Sequence, residues 1–251
     1  MRLLVSGITG QLGIALAESC RDTEVELVAV VRGQRTGRMP LGRSHPELVE
    51  SAVPGDVTAA RWGLSDPTID RLAGTVDAVV NLAGQTNWAG SGRDLYAVNV
   101  LGARYGAELA AELARRGGRP VPYCYASSIF VAGGRLGVVP ETVSGPDGHR
   151  TAYEHSKWTA ERELVATCRG ARHGEPDLLI ARVAALLGDS RTGATLRRNS
   201  LYLLAERWDD LPGRLLPVMP GARVDAVPRD HAAACLLQAV RALVRRARGE
   251  V

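Results

Sequence analysis

The sequence predicts a doubly wound α/β fold, a parallel sheet with helices on both faces. Three observations carry this expectation. A short apolar run near the start leads at once into a glycine-rich turn and an alanine-rich helical segment. Apolar runs of strand length then alternate with helix-length segments as far as residue 187. Finally, 45% of the 251 residues are hydrophobic, enough to fill the core of one large domain.

Residues 2–6 (RLLVS) read as the first strand, followed by Gly7-Ile8-Thr9-Gly10-Gln11-Leu12-Gly13 and a helix to Cys20. Strand, glycine turn and helix in that order are what a dinucleotide-binding turn requires. Gly7 permits the tight turn, Gly10 lets the backbone approach a pyrophosphate, and Gly13 lets the helix pack closely. The helix start offers unpaired N–H groups and the positive end of a dipole to the phosphates. The spacing is G-x-x-G-x-x-G rather than G-x-G-x-x-G.

Residues 26–31 (ELVAVV) form the second strand. An acidic residue at its end would take a ribose 2′-hydroxyl. Arg32 stands there instead, followed by Gly33, Gln34 and Arg35, with Arg38 and Arg43 beyond. A guanidinium suits a 2′-phosphate, so the expected cofactor is NADP(H), with Arg32 and Arg35 as its contacts.

Residues 51–57 give a third strand containing Asp56 and Val57, and residues 76–82 a fourth, leading into Ala83-Gly84. Small residues there let the backbone pass close to a cofactor. Residues 94–116 read as one long helix carrying Asn99, Gly102 and Gly106, glycines that weaken it unless something packs closely against them. A strand at 121–126 ends in Ser127-Ser128, and the Gly/Pro-rich residues 132–150 form a loop. A helix then runs to about Arg169, and residues 177–187 make a further strand. Beyond Gly188 the pattern loosens: a helix at 195–208, a loop at 211–222 and a striped helix at 230–248 with a basic end. The expected division is a core at 1–187 and a smaller part at 188–251, forming one structural unit.

The helix after the loop begins Thr151-Ala152-Tyr153-Glu154-His155-Ser156-Lys157-Trp158. Four residues apart, Tyr153 and Lys157 share one helix face. An ammonium near a phenol favours the phenolate, so the tyrosine pKa is expected to fall, making Tyr153 a proton donor tuned by Lys157. Lys157 is also the sole lysine among thirty-one basic residues. Arginine could supply a surface charge here, so a lone lysine suggests a need for its compact ammonium. His155 does not share that face and is expected to be structural, while Trp88 and Trp158 line a pocket or simply pack.

A net charge of +4 is too small and dispersed to argue for nucleic acid. Cys20, Cys124, Cys168 and Cys235 lack metal-ligand spacing and read as small buried hydrophobes, so no metal is expected. No apolar run has the length of a membrane span and no leader precedes the first strand, which makes a cytoplasmic location the expectation.

Taken together, the glycine turn, Asn81-Leu82-Ala83-Gly84, Ser127-Ser128 and the Tyr153/Lys157 pair resemble the extended short-chain dehydrogenase/reductases, with their Rossmann-type sheet. Residues 30–32, 54–65, 153–161, 181–193 and 224–233 are similar to the thioester-reductase-like group. That group includes terminal reductase domains of nonribosomal peptide synthetases, carboxylic acid reductases and fatty acyl-CoA reductases. The resemblance implies catalytic roles for Ser128, Tyr153 and Lys157, with Asn99 steadying the helix or the lysine's water. It places the pyrophosphate on Gly7, Thr9, Gly10, Gln11 and Leu12, and the adenine edge on Asp56 and Val57. The middle of the cofactor falls on Leu82, Ala83 and Gly84, and residues 188–251 bind substrate. The implied activity is NADPH-dependent hydride transfer to a carbonyl. One candidate is an acyl thioester on an acidic carrier protein acting in trans; others are a free ketone, a steroid or a nucleotide sugar, as reductase or epimerase. A non-catalytic NADP(H) sensor is the alternative outside enzymes, and retention of Ser128, Tyr153 and Lys157 speaks against it.

Overall fold

The computed structural model describes residues 1–33, 51–87, 91–143, 145, 148–169, 176–195, 200–210 and 224–250. Six strands, β1 (Arg2–Ser6), β2 (Glu26–Val31), β3 (Ser51–Pro54), β4 (Ala78–Asn81), β5 (Tyr123–Ser128) and β6 (Leu178–Val183), form one parallel sheet. Its order is β3-β2-β1-β4-β5-β6, so the winding direction reverses between β1 and β4. The central strands are continuous apolar runs because helices cover both of their faces.

On one face lie α1 (Gln11–Cys20) and the last helix, α7 (Arg229–Ala247). Leu12, Ile14 and Leu16 meet Leu236, Leu237 and Val240 there over Leu3 and Val5. An Arg229–Glu18 ion pair at 3.1 Å joins the two helices. The other face carries α2 (Asp66–Leu72), α4 (Gly102–Gly117) and α5 (Ala152–Arg169). Ile69, Leu109, Leu113 and Leu164 pack with Leu4, Val79, Tyr123 and Trp62. The closing helix thus belongs to the wall of the sheet.

Several elements differ from the sequence expectation. The third strand stops at Pro54, three residues short, because the chain turns there. Arg61 and Trp62 adopt left-handed conformations (φ 53° and 54°), which send the Trp62 indole into the core to donate to the Gly102 carbonyl at 2.9 Å. The long helix expected at 94–116 is instead α3 (Gly92–Leu95), a π-helical stretch (Tyr96–Leu101) and α4. Its glycines have close neighbours: a Cβ on Gly106 would lie 2.5 Å from the Tyr123 hydroxyl oxygen and 2.6 Å from the Trp62 ring. The strand expected at 177–187 is two strands. After β6, β7 (Ala185–Leu187) leaves the main sheet and pairs with β8 (Ala226–Pro228), for which the sequence reading had no strand. The helix expected at 195–208 is α6 (Ser200–Glu206). The loop at 211–222 lies outside the described residues.

Candidate active site

The carboxyl ends of β1, β4 and β5 bring the glycine turn, Leu82-Ala83-Gly84 and Ser127-Ser128 to one edge of the sheet, at the point where the winding reverses. In open α/β sheets that crevice is the ligand site. Gly7 (φ +72°) passes so close to the neighbouring loop that a Cβ would sit 2.4 Å from the Ala83 nitrogen. A Cβ on Gly13 would be equally close to the Gly7 carbonyl oxygen, so this glycine seats α1 against the turn. Gly10 donates to the Gly7 carbonyl at 2.9 Å, and Thr9 is exposed at the crest.

No side chain caps α1 and its first turn holds no acidic residue. These features fit a pyrophosphate on its N–H groups. The Gln11 side chain reaches away to the Leu187 carbonyl at 2.9 Å. Leu12 is buried in the core. The turn after β4 is held by Asn81, whose Oδ1 accepts from Ser6 Oγ at 2.8 Å and from the Ala83 N–H at 3.1 Å.

At the end of β2 Arg32 is exposed, and Arg35, Arg38 and Arg43 lie outside the described residues. Asp56 Oδ1 accepts from the Thr58 N–H at 2.9 Å and from its hydroxyl at 2.8 Å, which fixes the turn after β3. Val57 packs against Gly102 at the start of α4.

Thr151 caps α5 by accepting the Glu154 N–H at 3.1 Å, while the Glu154 carboxylate accepts the Arg150 N–H at 2.7 Å. These two bonds at its first turn set where the helix starts and so which face carries Tyr153 and Lys157. Both are buried, and a hydrogen bond joins the side chains of Tyr153 and Ser128. Ser128 Oγ also accepts the Phe130 N–H at 3.3 Å. Lys157 Nζ donates to the Ala126 carbonyl at 2.8 Å and the Tyr125 hydroxyl at 3.1 Å. A Cβ on Gly84 would lie 3.4 Å from the same nitrogen, so the β4 turn adjoins the lysine.

The expected fall in the Tyr153 pKa is corrected by this geometry. Burial pushes the phenol above its ordinary value, and the Ser128 hydrogen bond only partly offsets that. Lys157 itself is pulled down to about 7 by burial, with Glu161 acting the other way. A lysine half neutral near pH 7 cannot pull the phenol down as a fully charged neighbour would.

Asn99, on the π-helical stretch, donates to Ser156 Oγ at 2.9 Å and to the Gln85 carbonyl at 3.0 Å, and accepts the Gln85 N–H. It therefore joins the β4 loop to α5 through Ser156. His155 lies on the outer flank of α5, with its ring 5.8 Å from His149 and 5.5 Å from Trp158. Beside them a cavity of about 440 Å³ is lined by Tyr96, His149, Thr151, His155 and Thr159. Trp88 lies outside the described residues.

Four residues at the site were not singled out from the sequence: Tyr125, Ser156, Glu161 and Arg182. Glu161 was open to detection, standing four residues after Lys157 on the same helix. The others needed tertiary contacts: Ser156 meets Asn99, and Arg182 on β6 stands opposite Ser127 on β5.

Residues 5–236 match the male sterility protein family of NAD-binding domains. Over 222 residues the chain is 31% identical to the PKS-NRPS hybrid synthetase cheA of Chaetomium globosum, covering 84% of this chain and 4% of that protein. Among solved structures, the terminal R domain from the myxalamid PKS-NRPS biosynthetic pathway superposes with a TM-score of 0.77 at 26% identity. That match covers 94% of this chain and 61% of the R domain. A thiolation-reductase di-domain from an archaeal non-ribosomal peptide synthetase shares the fold (TM-score 0.66, 21% identity, 94% of this chain and 52% of that one). The chain thus spans less than two thirds of these solved reductase structures and a small fraction of the synthetase.

Proposed function

The chain belongs to the male sterility protein family of NAD-binding oxidoreductase domains, and from that premise we propose that it is an NADPH-dependent reductase of a carrier-bound acyl thioester. The observation that carries the chemistry is the hydrogen-bonded Ser128–Tyr153 pair, with Lys157 buried one turn along beside Gly84. Gly7, Gly10 and the start of α1, with Leu82, Ala83 and Gly84, would hold a nicotinamide cofactor, which when bound would supply hydride to the carbonyl carbon. Ser128 and Tyr153 would hydrogen-bond the carbonyl oxygen, and Tyr153 would give it a proton as negative charge develops there. Lys157 would hold the ribose hydroxyls and replenish the phenol, and Asn99 would keep α5 in place. Expulsion of the thiol from the resulting hemithioacetal gives an aldehyde.

Preference for NADPH over NADH rests on Arg32, an exposed guanidinium where an acidic residue would select the 2′-hydroxyl. Arg32→Asp should weaken NADPH binding sharply and NADH binding little. The thioester reading is supported by the synthetase relatives, and the carrier would be an acidic protein met by exposed arginines such as Arg191. Arg197 and Arg198, also expected there, lie outside the described residues. Within 188–251, the described residues 188–195 and 200–210 would frame the acyl group, since α7 covers the sheet.

The deciding experiment is NADPH oxidation with an acyl group presented on a carrier protein, on a short free thiol, and as a free ketone. The carrier form should be much the best, because remote binding energy acts at the reacting centre. Its rate should fall with salt as the charge attraction is screened. Brisk ketone reduction without thioester activity would overturn the thioester reading.

A further inference from the structure

Glu161 is the most buried carboxylate described at the site, 1% exposed, yet it touches neither the proposed substrate position nor solvent. Its Oε1 accepts from Ser127 Oγ at 2.6 Å and Arg182 Nε at 3.0 Å, and its Oε2 accepts from the Arg182 terminal nitrogen at 2.7 Å. Three donors thus satisfy the buried carboxylate, where an unpaired one would be costly. Arg182 donates onward to the carbonyls of Pro140 and Thr142, so the pair also ties down the loop that follows Ser128.

Glu161 stands one helical turn beyond Lys157, whose own partners, Ala126 O and Tyr125 OH, are both neutral. We propose that Glu161 is a positioning residue: held in place by Ser127 and Arg182, it is the counter-charge that favours the charged form of Lys157 at the site. This rests on the reading of Tyr153 and Lys157 as the proton-delivering pair.

Among the described residues, the groups facing Lys157 and Glu161 are few. Tyr153 on α5 and Tyr123 and Tyr125 on β5 are phenols whose pKa burial raises, so they remain neutral near pH 7. Arg182 on β6 carries positive charge, and Glu141 on the loop acts on Arg182. Glu154 is engaged at the start of α5, and His155 lies on the outer flank of that helix. Glu161 is thus the carboxylate placed to act on the lysine. Burial draws the Lys157 pKa down to about 7 with Glu161 present, so the balance is poised where losing one charge tips it. Glu161→Gln would remove that carboxylate and leave Arg182 without its ionic partner.

Lys157 is the sole lysine in the chain, which makes the test direct. Protein enriched with carbon-13 at the lysine Cε gives one lysine signal, whose shift with pH reports the protonation of Lys157. In Glu161→Gln the titration midpoint should fall by about one pH unit or more, the size expected for loss of a close opposite charge. Should that variant fold poorly, Glu161→Gln combined with Arg182→Met removes the stranded cation. Its midpoint should lie between those of the wild type and the single variant. A midpoint unchanged from the wild type in either protein would overturn the proposal. Tyr153→Phe separates this from the reductase reading. If it still oxidises NADPH with substrate while Glu161→Gln shifts the lysine, the proton-donor reading fails and the counter-charge stands. If Tyr153→Phe is inactive and the lysine midpoint ignores Glu161, the reverse holds.

Discussion

Lys157 and Tyr125 meet in two ways: the ammonium donates to the tyrosine hydroxyl at 3.1 Å, and it lies 4.6 Å from the centre of the same ring. The hydroxyl in turn donates a hydrogen bond to the Asn99 backbone carbonyl at 3.1 Å. Tyr125 therefore links Lys157 to the π-helical stretch, and both residues are buried.

Tyr125→Phe should keep the ring contact and lose both hydrogen bonds. Urea denaturation is expected to show a loss on the order of 1–2 kcal/mol, since a buried acceptor and a buried donor each lose a partner. NADPH oxidation should slow as Lys157 is less firmly placed. Wild-type stability with wild-type turnover would show that the hydroxyl has no part in holding the lysine.

Gly106→Ala should destabilise the fold by about 1–3 kcal/mol, because its Cβ would overlap the Tyr123 hydroxyl and the Trp62 ring, both buried with little room to yield. Gly84→Ala is the control. Its Cβ would meet the end of the flexible Lys157 chain at 3.4 Å, an ordinary contact, so thermal melting should change little. Equal effects of the two substitutions would contradict the packing described for α4.

Stability should respond to pH through Lys157. Its folded-state pKa is depressed by burial to about 7 from the ordinary 10.5. Between those values the unfolded chain holds a proton that the folded chain has released, so stability rises as pH climbs through 7. Cys20 and Cys124, whose pKa values burial raises to about 11 and about 12, act oppositely once free thiols ionise, above about pH 8.5. The test window is therefore pH 6.5–8.5. Across it the wild type, without cofactor, should gain on the order of 2 kcal/mol that Lys157→Met does not gain. Parallel pH profiles for the two proteins would refute the buried-lysine account.

What the sequence determined by itself was local. The glycine turn between β1 and α1, the strand-length apolar runs and the Tyr153/Lys157 face follow from backbone freedom and from periodicities of two and 3.6 residues. They placed all six strands of the main sheet and the start of α5 to within a few residues. The tertiary structure alone decided what depended on distant partners. Asn99 meets Ser156 across 57 residues, and Ser127 meets Glu161 across 34. The β7–β8 pair joins residues 41 positions apart, in segments each too short to show a period. The direction of the Tyr153 pKa also turned on burial, because sequence spacing shows that a lysine is one turn away and not how little water surrounds either group. Desolvation depends on everything packed around a side chain, and that is set only when the sheet, α4 and α5 close over it.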